Sequence, residues 1–74
     1  MEIDVQLFAT LRQGRFRRKT LEVPPGSTVA NVCQHLAIDP REVAILMVNG
    51  TTTQRCHPLV AGDEVSLFPA LGGG

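Results

Sequence analysis

A single apolar stripe with the period of a helix constrains this chain more than any other feature. Val29, Val32, Cys33 and Leu36 recur at i, i+3, i+4 and i+7, the spacing that collects side chains on one face of an α-helix. Pro24-Pro25-Gly26 closes whatever precedes the stripe, and Ser27 or Thr28 is placed to cap the helix start. Ile38-Asp39-Pro40 ends the helix after about ten residues, because proline disfavours helical geometry in the residue before it. Such a helix has one face to bury, so the rest of the chain must offer one apolar surface to receive it.

The flanking segments read as strands. Ile3, Val5 and Leu7 alternate with Glu2, Asp4 and Gln6, which predicts a first strand from Glu2 to about Ala9 with one buried face. Gln13-Gly14 breaks the pattern, and Phe16, Thr20, Leu21 and Val23 rebuild an extended segment that pairs back as a hairpin. Beyond the helix, Arg41-Glu42-Val43 makes one loose turn. Val43 to Val48 is a continuous apolar run ahead of the tight-turn dipeptide Asn49-Gly50, and predicts a central strand. Thr51 to Cys56 is polar and β-branched, a short edge strand or an extended return that His57-Pro58-Leu59 interrupts. Ala61-Gly62-Asp63 turns the chain into Glu64-Val65-Ser66-Leu67, which alternates again before Phe68-Pro69. Hairpin, helix, strand, return and strand is the order of a two-layer α+β domain, and the β-grasp arrangement fits it.

Length and charge narrow the function. A chain of 74 residues makes one domain, since two halves would be too short to bury cores of their own. Seven basic and seven acidic side chains cancel, leaving no global field to attract nucleic acid or an anionic membrane. The opening Met1-Glu2-Ile3-Asp4-Val5 lacks the build of a signal peptide and no apolar run approaches membrane-spanning length, so a cytoplasmic protein is expected. Cys33 and Cys56 are far apart and form no CxxC motif; both are expected as reduced thiols, Cys33 buried on the helix stripe and Cys56 more exposed. His35 and His57 have no acidic or cysteine partner at metal spacing. Asp63 reads as a turn residue, and no paired carboxylates, Ser/His/Asp set or phosphate-binding glycine loop is present. Neither catalysis by the isolated chain nor a resident metal or cofactor is expected.

What remains is Leu71-Gly72-Gly73-Gly74. Successive glycines add nothing to a core and have the most conformational freedom to lose, so they are either a frayed end or the working part. They follow a strand that ends in Phe68-Pro69, which aims the segment outward with Pro69 stiffening its base. A flexible tail over residues 69–74 would reach about 20 Å at roughly 3.3 Å per residue. A segment without side chains is able to thread a narrow tunnel and present its carboxylate to a partner's active site. That carboxylate is a poor acyl donor until activated, most simply as a mixed anhydride with AMP, and the activating enzyme has to come from outside.

Several segments carry a family resemblance: Val5-Gln6-Leu7-Phe8-Ala9-Thr10-Leu11-Arg12, Val23-Pro24-Pro25-Gly26-Ser27-Thr28-Val29, Val48-Asn49-Gly50, and His57-Pro58-Leu59 through Gly62-Asp63-Glu64-Val65 to Phe68-Pro69 and the glycines. In this order, and over essentially the whole chain, they resemble the ThiS/MoaD family of ubiquitin-like sulfur carriers. The resemblance implies a ubiquitin-like β-grasp fold, with a mixed sheet of four to five strands packed on one helix. It implies that the C-terminal glycine is adenylated by an E1-like adenylyltransferase using ATP, then converted to a thiocarboxylate by a sulfur donor. The sulfur would pass to molybdopterin or its tungsten counterpart, with the large subunit of molybdopterin synthase as partner, or to the thiazole of thiamin through thiazole synthase. Phe68-Pro69 ahead of the tail places the pterin route first. The family often stops at two glycines and this chain has three, so the acyl residue is Gly74, or Gly73 if the last is trimmed. Gly74 is preferred, because a carboxylate already at the end needs no protease. Leu71, Gly72 and Gly73 would thread the partner's tunnel.

Phe8 and Phe68 fall out of phase with the buried positions of their strands. With Pro69 they are candidates for an apolar patch that docks partners on the face away from the helix; peripheral core packing is the other reading, and Leu46 or Val48 could join the patch. Arg15, Arg17, Arg18 and Lys19 form a basic cluster, read as a solvated hairpin that discourages edge pairing rather than a steering surface. The same tail also suits a ubiquitin-like modifier joined to lysines of target proteins, and a plain interaction module would use the patch without the tail. The free chain is expected to be a monomer.

Overall fold

The computed structural model describes residues 1–70. Strands β1 (Glu2–Leu7) and β2 (Arg18–Glu22), helix α1 (Val29–His35), and strands β3 (Val43–Val48), β4 (Thr51–Thr52) and β5 (Glu64–Pro69) follow in that order. The strands form one sheet, β2-β1-β5-β3-β4, in which β1 and β5 run parallel and the other neighbours are antiparallel. This is the β-grasp architecture that fits the order of elements, and the sheet is mixed, as the family resemblance implied, with five strands. Ile3, Val5 and Leu7 of β1 and Val65 and Leu67 of β5 are buried together with Val29, Val32 and Cys33 of α1. Leu11, Ile38 and Leu59 close the sides of this core. Each such side chain contributes roughly 1.5–3 kcal/mol by leaving water, so the alternation of β1 and β5 is the main determinant of the fold.

The helix is shorter than its stripe suggested, and both ends have local causes. Thr28, not Ser27, caps it: the Asn31 N–H donates to Thr28 Oγ1 at 3.3 Å, and the Thr28 N–H donates to Asn31 Oδ1 at 2.8 Å. At the other end Ala37 takes a left-handed conformation with φ of 56°. The Ile38 N–H donates to Cys33 O at 2.9 Å and the Ala37 N–H to Gln34 O at 3.1 Å. These are the two bonds of a Schellman ending, so the chain leaves the helix before Pro40 has any say. Leu36 remains half-buried against the core from just beyond the helix.

The first strand differs from its expected extent. β1 stops at Leu7 rather than Ala9 because Ala9, at φ 49°, turns the chain into a 3₁₀ turn over Ala9–Arg12 that buries Leu11. The run Val43 to Val48 forms β3 with the expected bounds and lies inside the sheet, between β5 and β4. β5 is the middle strand, with β1 on one side and β3 on the other, and β3 has only the two-residue β4 as its outer neighbour. Its apolar composition serves two faces: Val48 is buried and Leu46 packs on the core, while Ile45 points away, after a register irregularity between Val43 and Ile45. Asn49 and Gly50 both have positive φ, at 52° and 81°, as a tight turn between antiparallel strands requires.

Ala37 occupies a position that glycine would fill without steric cost. Ala37→Gly is therefore expected to stabilise the protein by about 0.5–1 kcal/mol in chemical denaturation, whereas an alanine-to-glycine change inside the helix would destabilise it by a similar amount. A loss of stability on Ala37→Gly would contradict the left-handed ending.

Candidate functional site

The face of the sheet away from α1 carries the residues out of phase with the core: Asp4 and Gln6 of β1, Glu64, Ser66 and Phe68 of β5, and Ile45 and Met47 of β3. Phe8 joins them just past β1, where its N–H donates to Leu67 O at 3.2 Å. This bond sets Phe8 level with Phe68, and the two rings stack with centroids 4.2 Å apart and planes inclined by 13°. Such a pair contributes about 0.5–1.5 kcal/mol beyond the area it covers. Ile45 lies opposite Phe68 in the β3–β5 register and is 46% exposed, which extends the stack into an apolar ridge. Leu46 and Val48, the earlier candidates from β3, face the core instead.

Pro69 does not belong to this ridge. It is buried and in phase with Val65 and Leu67, so it faces the helix side of the sheet and anchors the end of β5. Nor does a free tail begin there. Pro69 pairs with Val43, and the Ala70 N–H donates to Glu42 O at 3.1 Å. Glu42 ends the 3₁₀ turn Pro40–Glu42, which Asp39 caps: Asp39 Oδ1 accepts from the Arg41 N–H at 2.9 Å, and Glu42 Oε2 accepts from the Asp39 N–H at 3.0 Å. The chain is thus held through Ala70. Leu71, Gly72, Gly73 and Gly74 lie outside the described residues.

Arg12 was missed by the sequence reading. Its Nε–H donates to Leu7 O at 2.7 Å and its guanidinium carbon lies 5.5 Å from the Phe8 ring centroid. No pattern signals this, because the contact depends on the reversal at Ala9. The basic cluster is dispersed by its partners. Arg15 donates to Leu11 O and Ala37 O, both at 3.2 Å, Arg18 Nε donates to Asp4 Oδ2 at 2.9 Å, and Lys19 lies 5.9 Å from the Phe16 ring centroid.

The remaining candidates have structural roles. Cys33 is buried, and burial raises its thiol pKa above the ordinary value despite the opposing charge of Arg55; Cys56 is exposed. Asp63 is buried in its turn, where Oδ1 accepts from Asn49 Nδ2 and Oδ2 from the Val60 N–H, each at 2.9 Å. Among the described residues no three His, Cys, Asp or Glu side chains converge as metal ligands, and no helix is long and apolar enough to cross a membrane.

A β-grasp sheet with one face given to the core, an aromatic ridge on the other and a last strand leading from its middle into glycines defines a ubiquitin-like class of small protein. The sequence profile of the ThiS family matches residues 5–74, and the chain belongs to that family. No curated protein matches it in sequence. Among solved structures, SAMP1 from Haloferax volcanii is 26% identical, with all of each chain covered and a TM-score of 0.77. A putative molybdopterin converting factor subunit 1 from Pyrococcus furiosus is 22% identical over 96% of this chain and 99% of that one, with a TM-score of 0.77. A complex of subunits 1 and 2 of the molybdopterin-converting factor from Helicobacter pylori is matched at 19% identity, with all of both chains covered and a TM-score of 0.64.

The Asp39 cap gives the base of the tail a defined pH response. Its hydrogen bonds from the Arg41 side chain and backbone hold the Asp39 carboxyl at about 2, below the ordinary 3.8. A depressed folded-state pKa means that the cap's contribution is fully present above the ordinary value and lost as pH falls toward about 2. The protection factor of the Ala70 amide, with the intrinsic pH dependence of exchange divided out, should therefore fall in that acid window, and Asp39→Ala should lower it in the same way at neutral pH. Exchange at Ala70 that ignores both changes would break the link between cap and tail.

Proposed function

We propose that this chain is a sulfur carrier for cofactor biosynthesis, working through the carboxylate of Gly74, or Gly73 if the last residue is trimmed. An E1-like adenylyltransferase joins that carboxylate to AMP from ATP, and a sulfur donor then replaces AMP to leave a thiocarboxylate. The observation that carries this reading is the course of β5, bonded on both sides within the sheet, pinned at Ala70 and continuing into the glycines of a ThiS-family chain. The chain supplies the acyl group, and the catalytic groups belong to its partners.

Likeness in fold to subunit 1 of molybdopterin converting factors supports the pterin route, with molybdopterin or tungstopterin as acceptor, ahead of the thiazole of thiamin. It also supports a large-subunit partner of the kind present in the Helicobacter complex; thiazole synthase takes that place in the thiamin alternative. On this reading Leu71, Gly72 and Gly73 thread the partner's tunnel while Phe8 and Phe68 dock its surface. The carrier works in the cytoplasm, monomeric when free, with no resident metal or cofactor and no nucleic acid or membrane.

A second reading is favoured by the likeness to SAMP1, a small archaeal modifier protein. There the same activated carboxyl would pass to lysines of target proteins. Incubation with ATP, the host's E1-like enzyme and a sulfur donor should yield a chain about 16 Da heavier, from exchange of OH for SH. If no such species forms and glycine remnants appear on lysines of other host proteins, the modifier reading replaces the carrier. Deleting Gly73 and Gly74 should abolish either activity without changing thermal unfolding, since the core lies within residues 3–67. Activity that survives the deletion would leave only the interaction module.

A further inference from the structure

Part of the basic cluster meets the aromatic ridge. Gln6, Leu7, Phe8, Arg12, Arg17 and Arg18 line an open groove of about 260 Å³ beside the Phe8–Phe68 stack. That is below the roughly 300–1,000 Å³ of pockets that enclose a small molecule, and suits one protein side chain. The arginines around it are not equivalent. Arg18 is neutralised by Asp4 and, at 3.7 Å, by Glu64. Arg12 uses its Nε–H on Leu7 O, which holds the guanidinium beside the Phe8 ring; its terminal nitrogens have no hydrogen-bond partner among the described residues. Arg17 is exposed, with no side-chain hydrogen bond or ion pair among them, yet its backbone is fixed because its carbonyl accepts from the Leu7 N–H at 2.9 Å. Elsewhere Arg41 is paired with Asp39, and Arg15 and Arg55 donate to backbone carbonyls.

Two guanidiniums with no carboxylate partner among the described residues therefore flank an aromatic face. Leu7 is in register with Leu67 on the parallel strand, so this groove opens at the end of the sheet from which β5 leads to the tail. We propose that the groove is a carboxylate receptor: an Asp or Glu side chain of the protein that processes the C-terminus lies between Arg12 and Arg17, while an apolar neighbour on that partner covers Phe8, Phe68 and Ile45. The planar fork of arginine matches a carboxylate through paired hydrogen bonds. Arg12 is already oriented by Leu7 O, which reduces the ordering cost of binding. A phosphate backbone fits poorly, because Asp4 and Glu64 share this face and the chain has no net charge. The partner's identity rests on the function proposed above; the groove's preference for carboxylates does not.

Two measurements on the full chain test the proposal. In NMR titrations with acetyl-Glu-Leu-Glu-amide, the Nε–H signals of Arg12 and Arg17 should shift while those of Arg41 and Arg55 stay in place. Acetyl-Gln-Leu-Gln-amide should shift none of them. Equal response to the two peptides, or no response to either, overturns the receptor, and a stronger response to oligothymidylate reassigns the groove to nucleic acid. With the host's E1-like enzyme, Arg17→Glu should raise the KM for the chain in adenylation by about tenfold at low salt, with kcat unchanged, and Arg17→Lys, which keeps the charge but loses the planar fork, should raise it by a smaller factor. An unchanged KM in Arg17→Glu removes this enzyme's carboxylate as the occupant. A wild-type chain that is never adenylated instead refutes the carrier and modifier functions, and the peptide titration then decides the groove by itself.

Discussion

Parallel pairing of β1 with β5 organises everything else in the molecule. Parallel neighbours cannot be joined by a tight turn, so the whole of residues 8–63 has to make the crossing between them. The crossing places α1 over one face of the central pair and hangs β2 and β3 on its two sides. Because the two strands run in the same direction, they also finish together. Phe8 reaches the level of Phe68 without any further constraint, and the segment that leads to the glycines starts from a strand bonded on both sides. The scaffold for the aromatic ridge and the base of the tail are thus one piece of backbone.

A sheet with two chemically distinct faces is sensitive to register. A slip of one residue in β5 would exchange Val65 and Leu67 for Ser66 and Phe68 across the core. The strand is pinned at both ends against that slip. At its start Asp63 accepts from Asn49 and Val60, the Asp4 N–H donates to Asp63 O at 2.9 Å, and the Glu64 N–H donates to Asn49 Oδ1 at 2.9 Å. At its finish Ala70 is tied to Glu42. Asp63, which in sequence is only a turn acid, is therefore the residue that fixes which side chains a partner can meet.

The alternation of β1 and β5, the helical stripe, the Asn49-Gly50 turn and the order of elements were legible in the sequence because each rests on a local period or a local turn chemistry. The outward placement of Phe8 and Phe68 was legible for the same reason, as a phase difference within a strand. What escaped was decided by tertiary context. Ala9 and Ala37 adopt left-handed backbone that alanine does not advertise, and with them went the 3₁₀ turn, the early helix stop and the placement of Arg12 on Phe8. Pro69 was assigned to the outer patch although its phase with Leu67 put it inside. The apolar run of β3 could not reveal which of its residues face the core, since the register irregularity after Val43 resets the alternation.

Glycines give a tail passage but little means of being recognised. Confining a glycine segment in a tunnel costs roughly 1–2 kcal/mol per residue in backbone entropy, and without side chains there is no apolar area to offset it. On the proposed function, affinity and selectivity come from the folded body, on a surface rigidly related to Ala70 at the end of β5. The outer face meets that requirement: its aromatic pair is fixed by the parallel ladder, and Arg12 and Arg17 are fixed by backbone bonds to β1. On the proposed function, β5 carries both parts: Phe68 on its outer face, and at its end the Ala70 bond to Glu42 O from which the chain continues toward the glycines.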